Sequence, residues 1–148
     1  MSDKKKLCFV CTGNTCRSPM ALYIFKQKLL NHPELELSVS SYGISVSEQS
    51  INTNAKAVLK ENKIKMNKFV PKQISLSKLR SYDAIVTMTD SALEHLKSLG
   101  YKRVYSINQL TKTGDVSDPY GLDIQAYRNC FKHLDVACDI MIDLLKRG

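Results

Sequence analysis

The segment VCTGNTCRSPMA, residues 10–21, places the thiol of Cys11 before the guanidinium of Arg17 with five residues between them. A thiolate is a strong nucleophile for phosphorus. A planar guanidinium can hold two oxygens of a phosphoryl group while negative charge spreads over them. This spacing predicts phosphoryl transfer, with Cys11 as nucleophile and Arg17 as phosphate-binding residue.

The same segment joins an apolar run, which reads as a strand, to a helical pattern with Pro19 near its start. N–H groups of such a loop and the positive end of the helix dipole together bind anions, and they also stabilise a thiolate. Gly13 and Asn14 are the residues that best tolerate a left-handed backbone. Ser18 can donate a hydrogen bond to the thiolate. The residues predicted to bind the phosphoryl group or another oxyanion are Thr12, Gly13, Asn14, Thr15, Cys16 and Ser18. The alternative is an inert buried Cys11 with Arg17 in a surface ion pair.

A second segment, GDVSDPYG at residues 114–121, offers the acid that such a reaction needs. Asp118 can protonate the leaving group and then take a proton from the water that hydrolyses the intermediate. The alternative for Asp118 is a carboxylate that stabilises a turn. Tyr120 is predicted either to form an aromatic wall of the cleft, and so to contact substrate, or to cover the core.

Strand and helix patterns alternate along the chain. Strands are predicted at residues 6–11, 36–42, 83–89 and 102–107, and helices at 18–31, 52–62, 90–99 and 123–146, with Asp90 and Asp123 as N-caps. This order predicts βαβ units and an open parallel sheet in an α/β fold. Ligands of such sheets bind at the carboxyl ends of the strands, where Cys11 and Asp118 both fall.

Length and composition limit the possible classes of protein. The 148 residues predict a single domain over 1–148. The apolar run at the N-terminus is too short for a signal peptide or a membrane span, and five cysteines, an odd number, suit a reducing compartment. We therefore expect a cytoplasmic protein without a membrane partner. The net charge of +8 favours anionic partners, but no base-reading motif accompanies it, so nucleic acid is an unlikely partner.

Taken together, the loop motif, the DPYG segment and the C-terminal helix resemble the low-molecular-weight protein tyrosine phosphatase family over essentially the whole chain. The resemblance implies a four-stranded parallel sheet with helices on both faces, a phosphocysteine intermediate, a phosphorylated protein as substrate, and neither metal nor cofactor. It also implies that Asn14, Ser18 and Ser41 hold the loop by hydrogen bonds. A reversible disulfide between Cys16 and Cys11 is a further property of the family.

Some residues depart from the animal members and resemble the bacterial branch. The stretch MNKFVPKQ lacks the histidine with which animal members support the loop asparagine. Tyr42 stands where a small residue is usual, and Thr89 stands where many members have an aspartate. The bacterial branch contains arginine phosphatases as well as tyrosine phosphatases. At position 15 the chain resembles the arginine phosphatases, which have a threonine there, and a threonine hydroxyl can form a hydrogen bond near a guanidino group. Tyr120 suits either substrate. Phosphotyrosine is predicted as the substrate, with phosphoarginine as the alternative.

The other cysteines and the histidines do not form a pattern that predicts a different function. Cys8 and Cys11 lie about 10 Å apart along a strand and point to opposite faces, which excludes a redox pair. Cys130 and Cys138 are expected in the core. An arsenate reductase needs two further cysteines, and none occurs between Cys16 and Cys130. The three histidines lack metal-ligand spacing. A non-catalytic phosphate- or nucleic-acid-binding module is the remaining alternative, and it leaves the thiol and the acid unexplained.

Overall fold

A computed structural model describes residues 4–148, and its centre is a sheet of four parallel strands in the order β2-β1-β3-β4. The strands span β1 Lys5–Cys11, β2 Leu37–Gly43, β3 Ala84–Thr87 and β4 Val104–Ser106. The chain passes from β1 to one side of the sheet and then returns to the other side for β3. The carboxyl end of β1 therefore lies at the point where the strand order reverses, which is where open α/β sheets bind ligands.

In the described part of the chain six helices cover the sheet: α1 Arg17–Leu29, α2 Thr53–Glu61, α3 Leu76–Leu79, α4 Asp90–Ser98, α5 Ile107–Thr111 and α6 Ile124–Arg147. Helices α1, α2 and α6 bury their apolar side chains on one face, while α3 and α4 cover the other. The predicted parallel sheet with helices on both faces is confirmed. No helix within residues 4–148 has the length and apolar character needed to cross a membrane.

Strand β1 is buried from Leu7 to Cys11, because it lies in the middle of the sheet between two layers of helices. Its side chains alternate between the layers, so that Cys8 packs with the α4 side and Cys11 with the α1 side. The expected separation of these two cysteines is confirmed. Cys130 and Cys138 are buried in the core between α6 and the sheet, as predicted.

Of the two predicted N-cap residues, Asp123 caps its helix and Asp90 does not. Asp123 caps α6, because its carboxylate accepts a hydrogen bond from the Ala126 N–H. Asp90 was expected to cap α4 but is its first residue, and the Thr89 hydroxyl accepts from the Ala92 N–H instead. The Asp90 carboxylate accepts hydrogen bonds from Ser106 and Asn108. Asp90 therefore ties α4 to the start of α5, which makes it unavailable as a cap.

Candidate active site

In the loop between β1 and α1, one residue has a left-handed backbone conformation and lets the chain turn. Asn14 has φ 56°, whereas Gly13, which was expected to share this conformation, does not adopt a positive φ. Helix α1 then begins at Arg17, and its N-cap residue, Cys16, provides no capping hydrogen bond from its side chain. The N–H groups of the first turn of α1 are therefore left for another acceptor.

The carbonyl groups of this loop are bound by the segment that follows β2. The N–H groups of Ile44, Ser45 and Asn52 donate to the carbonyls of Cys11, Thr12 and Thr15, at 2.9, 2.8 and 2.9 Å. By contrast, the N–H groups of residues 12–16 donate to no protein acceptor among residues 4–148. With three of its carbonyls bound in this way and its N–H groups unpaired among the described residues, the loop is a nest suited to an anion.

Gly43, at the end of β2, allows the loop to lie this close. A Cβ atom at Gly43 would stand 2.7 Å from Cγ2 of Val46, 2.9 Å from the carbonyl oxygen of Thr12 and 3.0 Å from Cβ of Asn14. Two of these atoms belong to the loop itself. Sequence reasoning missed Gly43 as a site residue, because its neighbour in the loop is about thirty positions away in the chain. The only sequence signal was its place at the end of a predicted strand.

A chain of buried side chains runs from Cys11 to β2. The Cys11 Sγ lies 2.9 Å from the Ser18 Oγ, and the Ser18 hydroxyl lies 2.8 Å from Oδ1 of Asn14. The Asn14 Nδ2 donates to the carbonyl oxygen of Ser41 at 3.4 Å. Ser41 thus supports the loop through its backbone, while its own hydroxyl is buried without a hydrogen-bond partner among the described residues. Ser41 therefore takes part in the hydrogen bonds of the loop with its carbonyl group and not with its side chain.

Arg17 links the loop to the segment that carries Asp118. Its Nη1 donates to the Val116 carbonyl at 3.1 Å, and its Nη2 lies 3.6 Å from Oδ2 of Asp118. The Arg17 side chain is nearly buried, and a guanidinium has five N–H donors, so these contacts leave others for a phosphoryl group. Arg17 is not in the surface ion pair that the inert-cysteine alternative required.

Asp118 stabilises its turn, as one alternative predicted, and also lines the cleft, as the role of an acid requires. Its Oδ1 accepts a hydrogen bond from the Tyr120 N–H at 3.1 Å, which stabilises the turn at Pro119. Its Oδ2 faces Arg17, and the side chain is half exposed in the cleft. A carboxyl group that is held by its own turn and still open to solvent can exchange protons with a leaving group and with water.

Tyr120 lies at the cleft and does not cover the core. It is 56% exposed, and its hydroxyl donates to Oε1 of Glu48 at 2.8 Å. The Glu48 carboxylate raises the pKa of Tyr120. Ser45, Ser47 and Glu48 come from the segment after β2 and also line the cleft. Sequence reasoning missed these three residues because nothing in the local pattern places them beside the loop.

Thr15 and Cys16 are buried beside the nucleophile and line the same cleft. Among the described residues the Thr15 hydroxyl has one hydrogen-bond contact, with the Cys16 Sγ at 3.8 Å, which is long even for sulfur. The Cys16 Sγ also lies 3.5 Å from the Tyr127 hydroxyl, and burial raises the pKa of the Cys16 thiol. Thr15 therefore lines the cleft with a hydroxyl that has no strong hydrogen-bond partner within residues 4–148.

The cleft has a volume of about 200 Å³. It brings together most of the residues singled out from the sequence, namely Cys11, Thr12, Gly13, Thr15, Cys16, Arg17, Asp118 and Tyr120. Asn14 in the loop and Ser18 in the first turn of α1 are fully buried and do not line the cleft. Within residues 4–148 no three histidine, cysteine or acidic side chains are grouped so as to hold a metal ion.

The family model of the low molecular weight phosphotyrosine protein phosphatases matches residues 6–148. The chain belongs to this family. Low molecular weight phosphatases of both substrate types are similar to it. A low molecular weight protein-tyrosine-phosphatase PtpB of Staphylococcus haemolyticus is 35% identical over 133 residues, which are 87% of this chain and 91% of the relative. A protein-arginine-phosphatase of Geobacillus stearothermophilus is 32% identical over 148 residues, 95% of this chain and 96% of the relative.

A solved structure of this phosphatase family has the same fold. The structure of a YwlE arginine phosphatase mutant that carries a phosphorylated active-site serine superposes with a TM-score of 0.88. The two chains are 28% identical, and the alignment covers 97% of each. The chain is thus a low molecular weight phosphatase, a cysteine-dependent hydrolase, by family and by fold.

Proposed function

We propose that the protein removes the phosphoryl group from phosphotyrosine in phosphorylated proteins, through a phosphocysteine on Cys11. The observation that carries the proposal is the position of Cys11, 4% exposed, at the base of a loop with unpaired N–H groups, in a cleft that Arg17 and Asp118 also line. Membership of a cysteine-dependent phosphatase family supports it. The odd number of cysteines further supports a reducing, cytoplasmic setting.

The first half of the reaction transfers the phosphoryl group to the enzyme. The Cys11 thiolate attacks phosphorus while the bond from phosphorus to the tyrosine oxygen breaks, and Asp118 gives its proton to that oxygen. The loop N–H groups and Arg17 stabilise the charge on the three equatorial oxygens. The phosphorylated serine of the YwlE mutant supports this step, since there too an active-site side chain carries the phosphoryl group.

The second half regenerates the enzyme. Water attacks phosphorus, the Asp118 carboxylate takes the proton of that water, and the bond between phosphorus and sulfur breaks. Cys11 leaves as a thiolate, and the Ser18 hydroxyl, 2.9 Å from the sulfur, donates a hydrogen bond to it. Inorganic phosphate then leaves the loop. Each proton that Asp118 gives in the first half is replaced in the second.

Phosphoarginine is a second candidate substrate, and the position of Thr15 favours it. Thr15 lines the cleft, and among the described residues its hydroxyl has no strong hydrogen-bond partner, so it is free to bond a nitrogen of a guanidino group. The protein-arginine-phosphatase of G. stearothermophilus, similar over 95% of this chain, also supports this candidate.

Hydrolysis of matched phosphotyrosine and phosphoarginine peptides, measured side by side, tests the proposal. The wild-type protein is expected to have the higher kcat/KM on the phosphotyrosine peptide. Replacing the Thr15 hydroxyl by an aliphatic group, Thr15→Ile, should shift the ratio further toward phosphotyrosine by about tenfold to a hundredfold, as loss of a buried hydrogen bond does. A wild-type preference for phosphoarginine would replace the first candidate by the second, and inactivity on both peptides would refute the proposal.

A further inference from the structure

Glu48 is an acidic residue in a cleft that otherwise attracts anions. It lines the cleft from the segment after β2, and Asp118 and Tyr120 line the same cleft from a second segment. The hydrogen bond from the Tyr120 hydroxyl to its Oε1 joins the two segments across the cleft. The mouth of the cleft is therefore bounded by a phenol and a carboxylate that hold one another.

The Glu48 carboxylate has no cationic partner in the part of the chain that the structure describes. No lysine, arginine or histidine within residues 4–148 forms an ion pair with it, and its Oε2 accepts no hydrogen bond from those residues. The other carboxylate of the cleft, Asp118, has Arg17 at 3.6 Å. Glu48 thus brings a negative charge to the cleft that the protein itself does not balance.

This charge is unfavourable for the phosphoryl group alone. A phosphate dianion in the loop and a carboxylate in the same cleft repel one another, and the cleft is narrow enough for the repulsion to act within a Debye length. The charge becomes favourable when the substrate brings a cation to the mouth of the cleft.

We propose that Glu48 is a specificity residue that binds positive charge next to the phosphoryl group of the substrate. The inference rests on the proposed phosphatase function and extends it to the substrate class. Two sources have this chemistry: the guanidino group of phosphoarginine itself, or a lysine or arginine beside a phosphotyrosine. Because the protein carries a net charge of +8, its general field favours acidic peptides, and a preference for basic ones requires a local carboxylate.

Tyr120 positions this carboxylate. The Glu48 side chain is exposed, and the hydrogen bond from Tyr120 restricts it to the cleft. Since the pKa of Tyr120 is raised, the phenol stays protonated at neutral and moderately alkaline pH and keeps donating. Tyr120→Phe retains the ring, loses the hydrogen bond, and is expected to lose part of the preference for basic substrates.

The test compares kcat/KM on four peptides of equal length. Three carry phosphotyrosine flanked by lysine, glutamine or glutamate, and the fourth carries phosphoarginine flanked by glutamine. The wild-type protein should prefer the lysine-flanked over the glutamine-flanked peptide by about two- to fivefold at low salt, as expected for an exposed ion pair, and less at high salt. Glu48→Gln should remove this preference. Glu94→Gln is the matched control, since Glu94 is exposed on α4, outside the cleft, and the substitution changes the net charge equally.

The four peptides distinguish the possible sources of the positive charge. Loss of the lysine preference in Glu48→Gln identifies the flanking residue as the cation, and a fall in the ratio of phosphoarginine to glutamine-flanked phosphotyrosine hydrolysis identifies the guanidino group. If Glu48→Gln changes neither ratio more than Glu94→Gln does, the inference is overturned. If the wild-type protein hydrolyses none of the four peptides, the proposed function fails before the role of Glu48 is in question.

Discussion

The Sγ of Cys11 lies 2.9 Å from the Oγ of Ser18, whose hydroxyl in turn lies 2.8 Å from Oδ1 of Asn14. Ser18 has one hydroxyl proton to donate. When Cys11 is a thiol, its S–H donates to Ser18 and Ser18 donates to Asn14. When Cys11 is a thiolate, the Ser18 proton turns to the sulfur. The same hydroxyl therefore serves both forms of the nucleophile without any movement of the backbone.

Replacing this hydroxyl should slow turnover. We expect Ser18→Ala to lower kcat by about tenfold to a hundredfold, because a hydrogen bond to a charged group contributes about 1.5–3 kcal/mol. The defect should be largest in breakdown of the phosphocysteine, where thiolate is the leaving group. Stopped-flow measurement of the burst and the steady state separates the two steps. Ser38→Ala, at the exposed start of β2, is the control, and equal rates in both variants would contradict the role of Ser18.

Removing the acid should matter most for poor leaving groups. Asp118→Asn keeps an oxygen that can accept the Tyr120 N–H, so the turn is preserved while the proton donor is lost. We expect a larger loss of kcat/KM on phosphotyrosine than on an activated aryl phosphate, whose phenolate leaves with little protonation. Asp143→Asn, an exposed position on α6, controls for the change in charge. Equal losses on both substrates would show that Asp118 is not the donor.

The close contact at Gly43 predicts a variant that damages the site from outside it. In Gly43→Ala the new methyl group must displace the Thr12 carbonyl or Asn14, because both lie within 3.0 Å of its position. Such overpacking costs about 1–3 kcal/mol. We expect weaker phosphate binding and lower kcat together with a lower Tm. Gly100→Ala, where a methyl group meets nothing but φ is +94°, should lower Tm alone. Unchanged phosphate affinity in Gly43→Ala would contradict the proposed role of the contact.

The fold was predictable from the sequence where pattern and length were both sufficient. Strand β1 and helices α1 and α6 agree with the predicted elements within about two residues. Helices α3 and α5, of four and five residues, were missed, because a single turn has no periodicity to detect. Ser106 ends β4 and caps α5 at once, so the boundary between them has no linker.

The site was predictable only where its residues adjoin one another in the chain. The loop from Cys11 to Ser18 has local chemistry that can be read directly, including the left-handed turn, although Asn14 and not Gly13 adopts it. Gly43 and Glu48 reach the loop and the cleft through the pairing of β1 with β2. Their roles depend on contacts between distant segments, which no local pattern reveals.

The family resemblance implies a reversible disulfide between Cys11 and Cys16, and oxidation tests it. Cys16 is a neutral buried thiol beside the nucleophile, since burial raises its pKa, and we expect it to act as the partner that resolves an oxidised Cys11. Mild peroxide should inactivate the wild-type protein reversibly. In Cys16→Ser the loss should resist reversal by thiols. Peptide mapping of the oxidised protein that finds no disulfide between Cys11 and Cys16 would rule this out.

The location of the phosphoryl group during turnover tests the central claim most directly. In Asp118→Asn, hydrolysis of the intermediate lacks its base. With an activated aryl phosphate as substrate, a covalent phosphoenzyme should therefore accumulate. Mass spectrometry of the rapidly quenched and digested protein should place the phosphoryl group on Cys11. A phosphoryl group on any other residue, or continued turnover with no covalent adduct, would contradict the account.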